Sequence, residues 1–150
     1  MCIRTAKKIT QTNIEALEKT IKNKLPFEFK NFYLNSNGGV PIKKYFYIEK
    51  DDNFVEISFF IPIFYTTSDL GELNIESTYQ ELIKKNIPNI YLPFAVDWGG
   101  NYFALNLETG NVILLLMDLG DFTNKCIKYL SSSFSSFLEK LQNEEDDDSL

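Results

Sequence analysis

Few residues in this 150-residue chain could do chemistry. It has no histidine, which removes His-based triads, His acid–base catalysis and His-ligated metal centres. Asp97-Trp98-Gly99-Gly100-Asn101 sets a carboxylate beside two glycines, the raw material of a phosphate or cation loop. The GxGxxG pattern and the P-loop lysine are both absent, and Asp97 with Asn101 offers too few oxygens for a hard cation. A glycine turn between two strands, with Asp97 accepting from nearby amides, accounts for the same residues. Cys126 has no imidazole partner and reads as a small buried hydrophobe. The carboxylates of Asp69, Glu72, Glu76 and Asp97 show no spacing that singles out an acid–base pair. Asn37-Gly38-Gly39 reads as a helix stop, since an anion cradle would need a helix starting there. No catalytic set, metal site or cofactor is expected.

The elements that position these residues follow from periodicity. Thr12 and Glu15 have capping-box spacing ahead of Ile14, Leu17 and Ile21, the apolar face of a first helix. Leu25-Pro26 opens a second, with Phe29, Phe32 and Tyr33 as its buried stripe and Asn37-Gly38-Gly39 as its end. Tyr45 to Ile48 and Phe54 to Phe60 read as paired strands around Asp51-Asp52-Asn53. A polar loop from Ser68 to Asn74 leads into a helix over 75–86, with Ile75, Tyr79, Leu82 and Ile83 facing inward. Tyr91 to Val96 is a strand that Pro93 assigns to an edge. Tyr102 to Leu107 and Val112 to Met117 flank Glu108-Thr109-Gly110-Asn111, a hairpin signal, and the second arm is apolar enough to be buried on both faces. A short strand over 127–130 precedes a final helix carrying Phe134, Phe137, Leu138 and Leu141, capped by one of Ser131, Ser132 or Ser133. Hairpins with helices grouped around them point to an α+β fold.

Composition sets the outer limits. The chain is 44% hydrophobic and 24% charged, a globular mixture long enough for one domain with its own core. Its net charge is -6, but Glu144, Glu145, Asp146, Asp147 and Asp148 supply five of the negative charges. We therefore expect one domain over residues 1–142 and a disordered acidic tail over 143–150. The basic residues are scattered, so nucleic acid is not an expected ligand. Two distant cysteines, Cys2 and Cys126, fit a reducing compartment. With no apolar run of signal-peptide or membrane-spanning length, a cytoplasmic protein with no membrane partner is expected.

Aromatic residues make up 15% of the chain. Tyr45, Phe46, Tyr47, Phe59, Phe60, Phe64 and Tyr65 cannot all face one side of a sheet, because successive side chains alternate. They imply either helices on both faces or an aromatic patch for a partner. Trp98, in a loop beside glycines, is the best single candidate for an exposed anchor.

Three segments resemble the SUKH superfamily, the Smi/Knr-like proteins. They are Leu25-Pro26 through Gly38-Gly39, Leu92-Pro93 through Asp97, Gly99, Gly100 and Gly110 to Val112, and Ser133 through Leu141; the resemblance covers about Ile14 to Leu141. It implies an α+β fold with a mainly antiparallel, curved sheet flanked by N-terminal, central and C-terminal helices. Leu25, Pro26, Gly38, Gly39, Asp97, Gly99, Gly100 and Gly110 would be fold determinants. It also implies a non-catalytic, protein-binding role. Most bacterial members are thought to be immunity proteins that neutralise a cognate toxin, and fungal relatives act as regulatory interaction modules, the alternative role here. Many such toxins, nucleases among them, have basic clefts towards which an acidic binder would be steered. The partner-binding residues expected on that basis are Glu49, Asp51, Asp52, Asp69 and Glu72 in two acidic loops, with Trp98 as apolar anchor. The protein would act as a monomer or weak dimer.

Overall fold

The computed structural model describes residues 1–143. The acidic tail expected over 143–150 lies, from Glu144 onward, outside the described residues. In chain order the elements are β1 (Cys2–Ile3), α1 (Gln11–Ile21), α2 (Phe27–Asn35), β2 (Val40–Pro41), β3 (Tyr45–Ile48), β4 (Asn53–Phe60), α3 (Ile75–Lys84), β5 (Tyr91–Asp97), β6 (Tyr102–Asn106), β7 (Val112–Leu115), β8 (Ile127–Ser131) and α4 (Phe134–Glu139). Strands β3 to β8 form one six-stranded antiparallel sheet in sequence order, while β1 and β2 make a separate two-stranded ribbon. The order is that of a meander, which is what a chain of short connections produces.

The sheet curves until its two edge strands nearly meet. At one end of the gap Lys128 of β8 forms an ion pair with Asp51, just after β3. At the other, Tyr45 and Gln142 exchange backbone hydrogen bonds of 3.1 and 2.8 Å. Between these closures lies a cleft of about 870 Å³ floored by Phe46, Ile48, Leu130 and Leu141. Strands β3 and β8 are not paired with each other, so the sheet is nearly closed but open along this seam.

Alternation sorts the core onto two faces. Phe103, Leu105, Val112 and Leu114 point into a large cluster with Phe29, Phe32 and Tyr33 of α2, Ile14, Leu17 and Ile21 of α1, and Phe134 and Phe137 of α4. Ala104, Ile113 and Leu115 point the other way, towards Leu82 of α3, Ile87 and Cys126. Helices thus cover both faces, and β7 is buried throughout, as its sequence predicts. The main cluster is a lattice of rings, with Phe94 edge-on to Phe134 at 5.2 Å and Phe29 to Phe134 at 4.9 Å.

Four local expectations are corrected. Helix α1 starts two residues earlier than read from the sequence; its N-cap is Thr10, not Thr12, and Asn13 Oδ1 accepts from Thr10 N at 3.0 Å. An Asn side chain three residues on reaches the free amide as well as a glutamate does. Strand β5 is central, between β4 and β6, and Pro93 is accommodated by a shift of register between Pro93 and Ala95, where no ladder amide is needed. Ile83 is exposed, while Thr78 takes a buried place on α3. Asn37-Gly38-Gly39 does not cap α2, whose C-cap is Ser36 in an extended conformation. The two glycines instead permit a close approach: a Cβ on Gly38 would meet Phe60 O at 2.7 Å, and one on Gly39 would meet Ile3 O at 2.7 Å.

Candidate functional site

The turn between β5 and β6 is built around one carboxylate. Asp97 Oδ1 accepts from Gly99 N and Asn101 N, both at 2.8 Å, and Oδ2 accepts from Asn101 Nδ2 at 3.0 Å. Asn101 Oδ1 in turn accepts from Met117 N at 2.9 Å, tying the turn to the end of β7. Gly100 supplies the left-handed residue, at φ +88°. Gly99 needs no such freedom, and a Cβ there would meet nothing nearer than 3.6 Å. With Asp97 committed to the turn, the loop is a rigid stalk rather than a cation or phosphate site. At its tip Trp98 is 72% exposed.

Beside Trp98 lies a shallow hollow of about 330 Å³ lined by Tyr45, Phe54, Val55, Glu56, Asp97 and Gly99. Tyr45 pairs with Glu56 and Tyr47 with Phe54 across β3 and β4; the alternation that buries Phe46 and Ile48 turns Tyr45 and Tyr47 to the other side of the sheet. The rings of Tyr47 and Phe54 lie 5.1 Å apart. Tyr47 OH donates to Asp52 Oδ1 at 2.6 Å, carrying this aromatic surface to the acidic turn after β3. Of the seven clustered rings, Phe46 and Phe60 are buried and Phe64 is exposed, with the others intermediate.

The acids expected to bind a partner are not gathered in one place. Glu49, Asp51 and Asp52 occupy the β3–β4 turn, near the hollow; Glu49 and Asp51 line the seam, and Asp51 faces Lys128. Asp69 and Glu72 belong to the loop before α3, where Gly71 approaches Phe59. From Asn53 to Phe59 along β4 is roughly 20 Å, so the two acidic loops sit at opposite ends of that strand. Trp98 leans towards the first.

Several structurally decisive polar contacts carry no sequence signal. Asn37 is 3% exposed; its side chain donates to Lys7 O and Ile63 O at 2.9 Å and accepts from Ile63 N at 2.7 Å. Glu18, 6% exposed, accepts from Leu25 N at 2.8 Å and fixes the connection between α1 and α2, where Leu25 itself is buried. Tyr33 OH bridges Ile61 O and Phe94 O, and burial pushes its hydroxyl well above the ordinary tyrosine range. Backbone partners elsewhere in the chain, brought in by the fold, give these side chains their roles.

Among the described residues no group of three or more His, Cys, Asp or Glu side chains could hold a metal ion. No helix among them is long and apolar enough to cross a membrane. Residues 8–140 match the model of the SMI1 / KNR4 family (SUKH-1). No curated protein matches the chain. With the match covering most of its length and the curved, nearly closed antiparallel sheet in place, the chain belongs to the SMI1/KNR4 family.

Proposed function

We propose that this member of the SMI1/KNR4 family is an immunity protein, a cytoplasmic, non-catalytic domain that neutralises a cognate toxin by stoichiometric binding. The single observation that carries the reading, beyond the family, is Trp98: a 72% exposed tryptophan held on a turn whose polar groups are satisfied from within. An exposed indole on a rigid support loses little conformational freedom on binding, and tryptophan is the residue most enriched among interface anchors.

The surroundings favour a basic partner. Asp52, bonded to Tyr47, and Glu56, lining the hollow, flank the aromatic surface of Tyr45, Tyr47 and Phe54, Glu49 stands in the same turn as Asp52, and the whole chain carries a net charge of -6. A toxin with a basic nucleic-acid cleft would be steered to such a face, and occupation of the cleft would exclude its substrate. Residues 1–142 would act as one unit, as a monomer or weak dimer.

The reading expects a toxin domain encoded beside this chain's gene, and the test is co-expression with it. Growth should be restored by the wild-type chain and lost with Trp98→Ala or with Glu49→Lys combined with Asp52→Lys. Toxicity that persists with abundant folded wild-type chain would overturn the reading.

A further inference from the structure

At the far end of β4 the chain makes an unusual turn. Phe64 lies at φ +66°, in the left-handed region that bulky side chains avoid. Tyr65 N donates to Ile63 O at 2.6 Å across it, closing the three-residue turn that is rare and strained when its central φ is positive. Three side chains, one from the segment after α2 and two from the start of α3, hold this shape. Asn37 binds both backbone groups of Ile63, Glu76 Oε1 accepts from Phe64 N at 2.9 Å, and Asn74 Nδ2 donates to Phe64 O at 2.9 Å. The backbone of a glycine would adopt this conformation without strain, yet the position holds a phenylalanine.

Its ring gives the fold little in return. Phe64 is 53% exposed, and its one aromatic neighbour is Tyr65, edge-on at 4.9 Å. Strain maintained by several converging side chains, around a side chain that faces water, belongs to a site rather than to a core. The loop that leaves this turn and returns to it through Asn74 carries Asp69 and Glu72, both exposed and without an ion pair among the described residues. Lys7, whose ammonium lies 5.1 Å from the centre of the Tyr65 ring, is the one cation placed here by a ring contact.

We infer that Phe64 is a preset anchor of a second partner-binding surface, inserting into an apolar pocket of a protein partner rimmed by lysine or arginine that meets Asp69 and Glu72. The inference rests on the toxin-binding reading and extends it: a toxin gripped at Trp98, in the turn after β5, and at Phe64, in the loop after β4, would be held at two separate turns. Pre-organisation is the gain from the strained turn, because the ring is already presented when the partner arrives.

The experiment is calorimetric titration of the toxin domain encoded beside this chain's gene with wild type, Phe64→Gly, Phe64→Ala and Asp69→Lys/Glu72→Lys, with the melting temperature of each. Phe64→Gly should bind about tenfold or more weakly yet melt no lower than wild type, because glycine relaxes the turn while deleting the anchor. Phe64→Ala should lose the same affinity. The double charge reversal should weaken binding most at low salt. Full affinity in Phe64→Gly, with binding lost in Trp98→Ala, would overturn the second surface and leave the toxin-binding reading standing. A melting temperature well below wild type for Phe64→Gly would make Phe64 a packing residue and overturn the inference as well. No binding by the wild-type chain would overturn both.

Discussion

The turns at Trp98 and at Phe64 present an aromatic ring to solvent by opposite means. The first is relaxed: Gly100 takes the left-handed position and Asp97, within the turn, satisfies the amides. The second is strained, with a phenylalanine in the left-handed position and its hydrogen bonds supplied by Asn37, Asn74 and Glu76 from outside. A self-contained turn tolerates change in the rest of the fold, whereas a clamped one depends on it. The contrast also separates what a ring does for stability from what it does for binding.

Of the two turns, the clamped one should break harder. Asn37→Ala removes three hydrogen bonds from a buried position, stripping Ile63 N and Lys7 O of this partner and leaving Ile63 O only its bond from Tyr65 N. We expect a loss of about 3 kcal/mol in a urea titration. Asp97→Ala, the equivalent lesion in the relaxed turn, should cost less, about 1–2 kcal/mol, since that turn can rehydrate; Trp98 emission would shift as its support loosens. If the two lesions cost the same, the distinction between the turns is wrong.

The rings themselves should matter still less to the fold. Trp98→Ala should change stability by no more than about 0.5 kcal/mol, and Phe64→Gly should be neutral or stabilising by up to about 1 kcal/mol. For scale, Phe94→Ala, inside the ring lattice, should cost about 3–5 kcal/mol. The smallest effect is the pH dependence at Glu76. Burial raises its carboxyl above the ordinary glutamate range, so the folded chain holds that proton more tightly than the unfolded one. The resulting stabilisation is complete below the ordinary range and is lost as pH rises through the raised value. Glu76→Gln, which keeps an acceptor for Phe64 N, should lack this decline; identical stability–pH curves for the two proteins would contradict it.

Most of the scaffold was legible in the sequence because its signals are local. Phe29, Phe32 and Tyr33 recur at helical spacing, Glu108 to Asn111 spells a hairpin, and the five residues from Asp97 to Asn101 contain every group their turn requires. Pro93 misled, because proline is barred from a ladder only where an amide must donate, and the register shift at β5 removes that need. The Phe64 turn was not legible at all. Its conformation is set by Asn37, twenty-six residues away, and by Asn74 and Glu76 on another element, so no window around Phe64 betrays it. The acidic loops were found by charge, but only the pairing of β4 with β3 and β5 sets one near Trp98, and only the bond from Asn74 to Phe64 O brings the other back to Phe64.

The most direct test of the central claim is a titration of toxin activity. The toxin domain encoded beside this gene should be inhibited linearly by added chain, reaching zero at one equivalent, with Trp98→Ala needing a large excess. Activity that persists past several equivalents of folded chain, or inhibition by catalytic amounts far below one equivalent, would contradict neutralisation by stoichiometric binding.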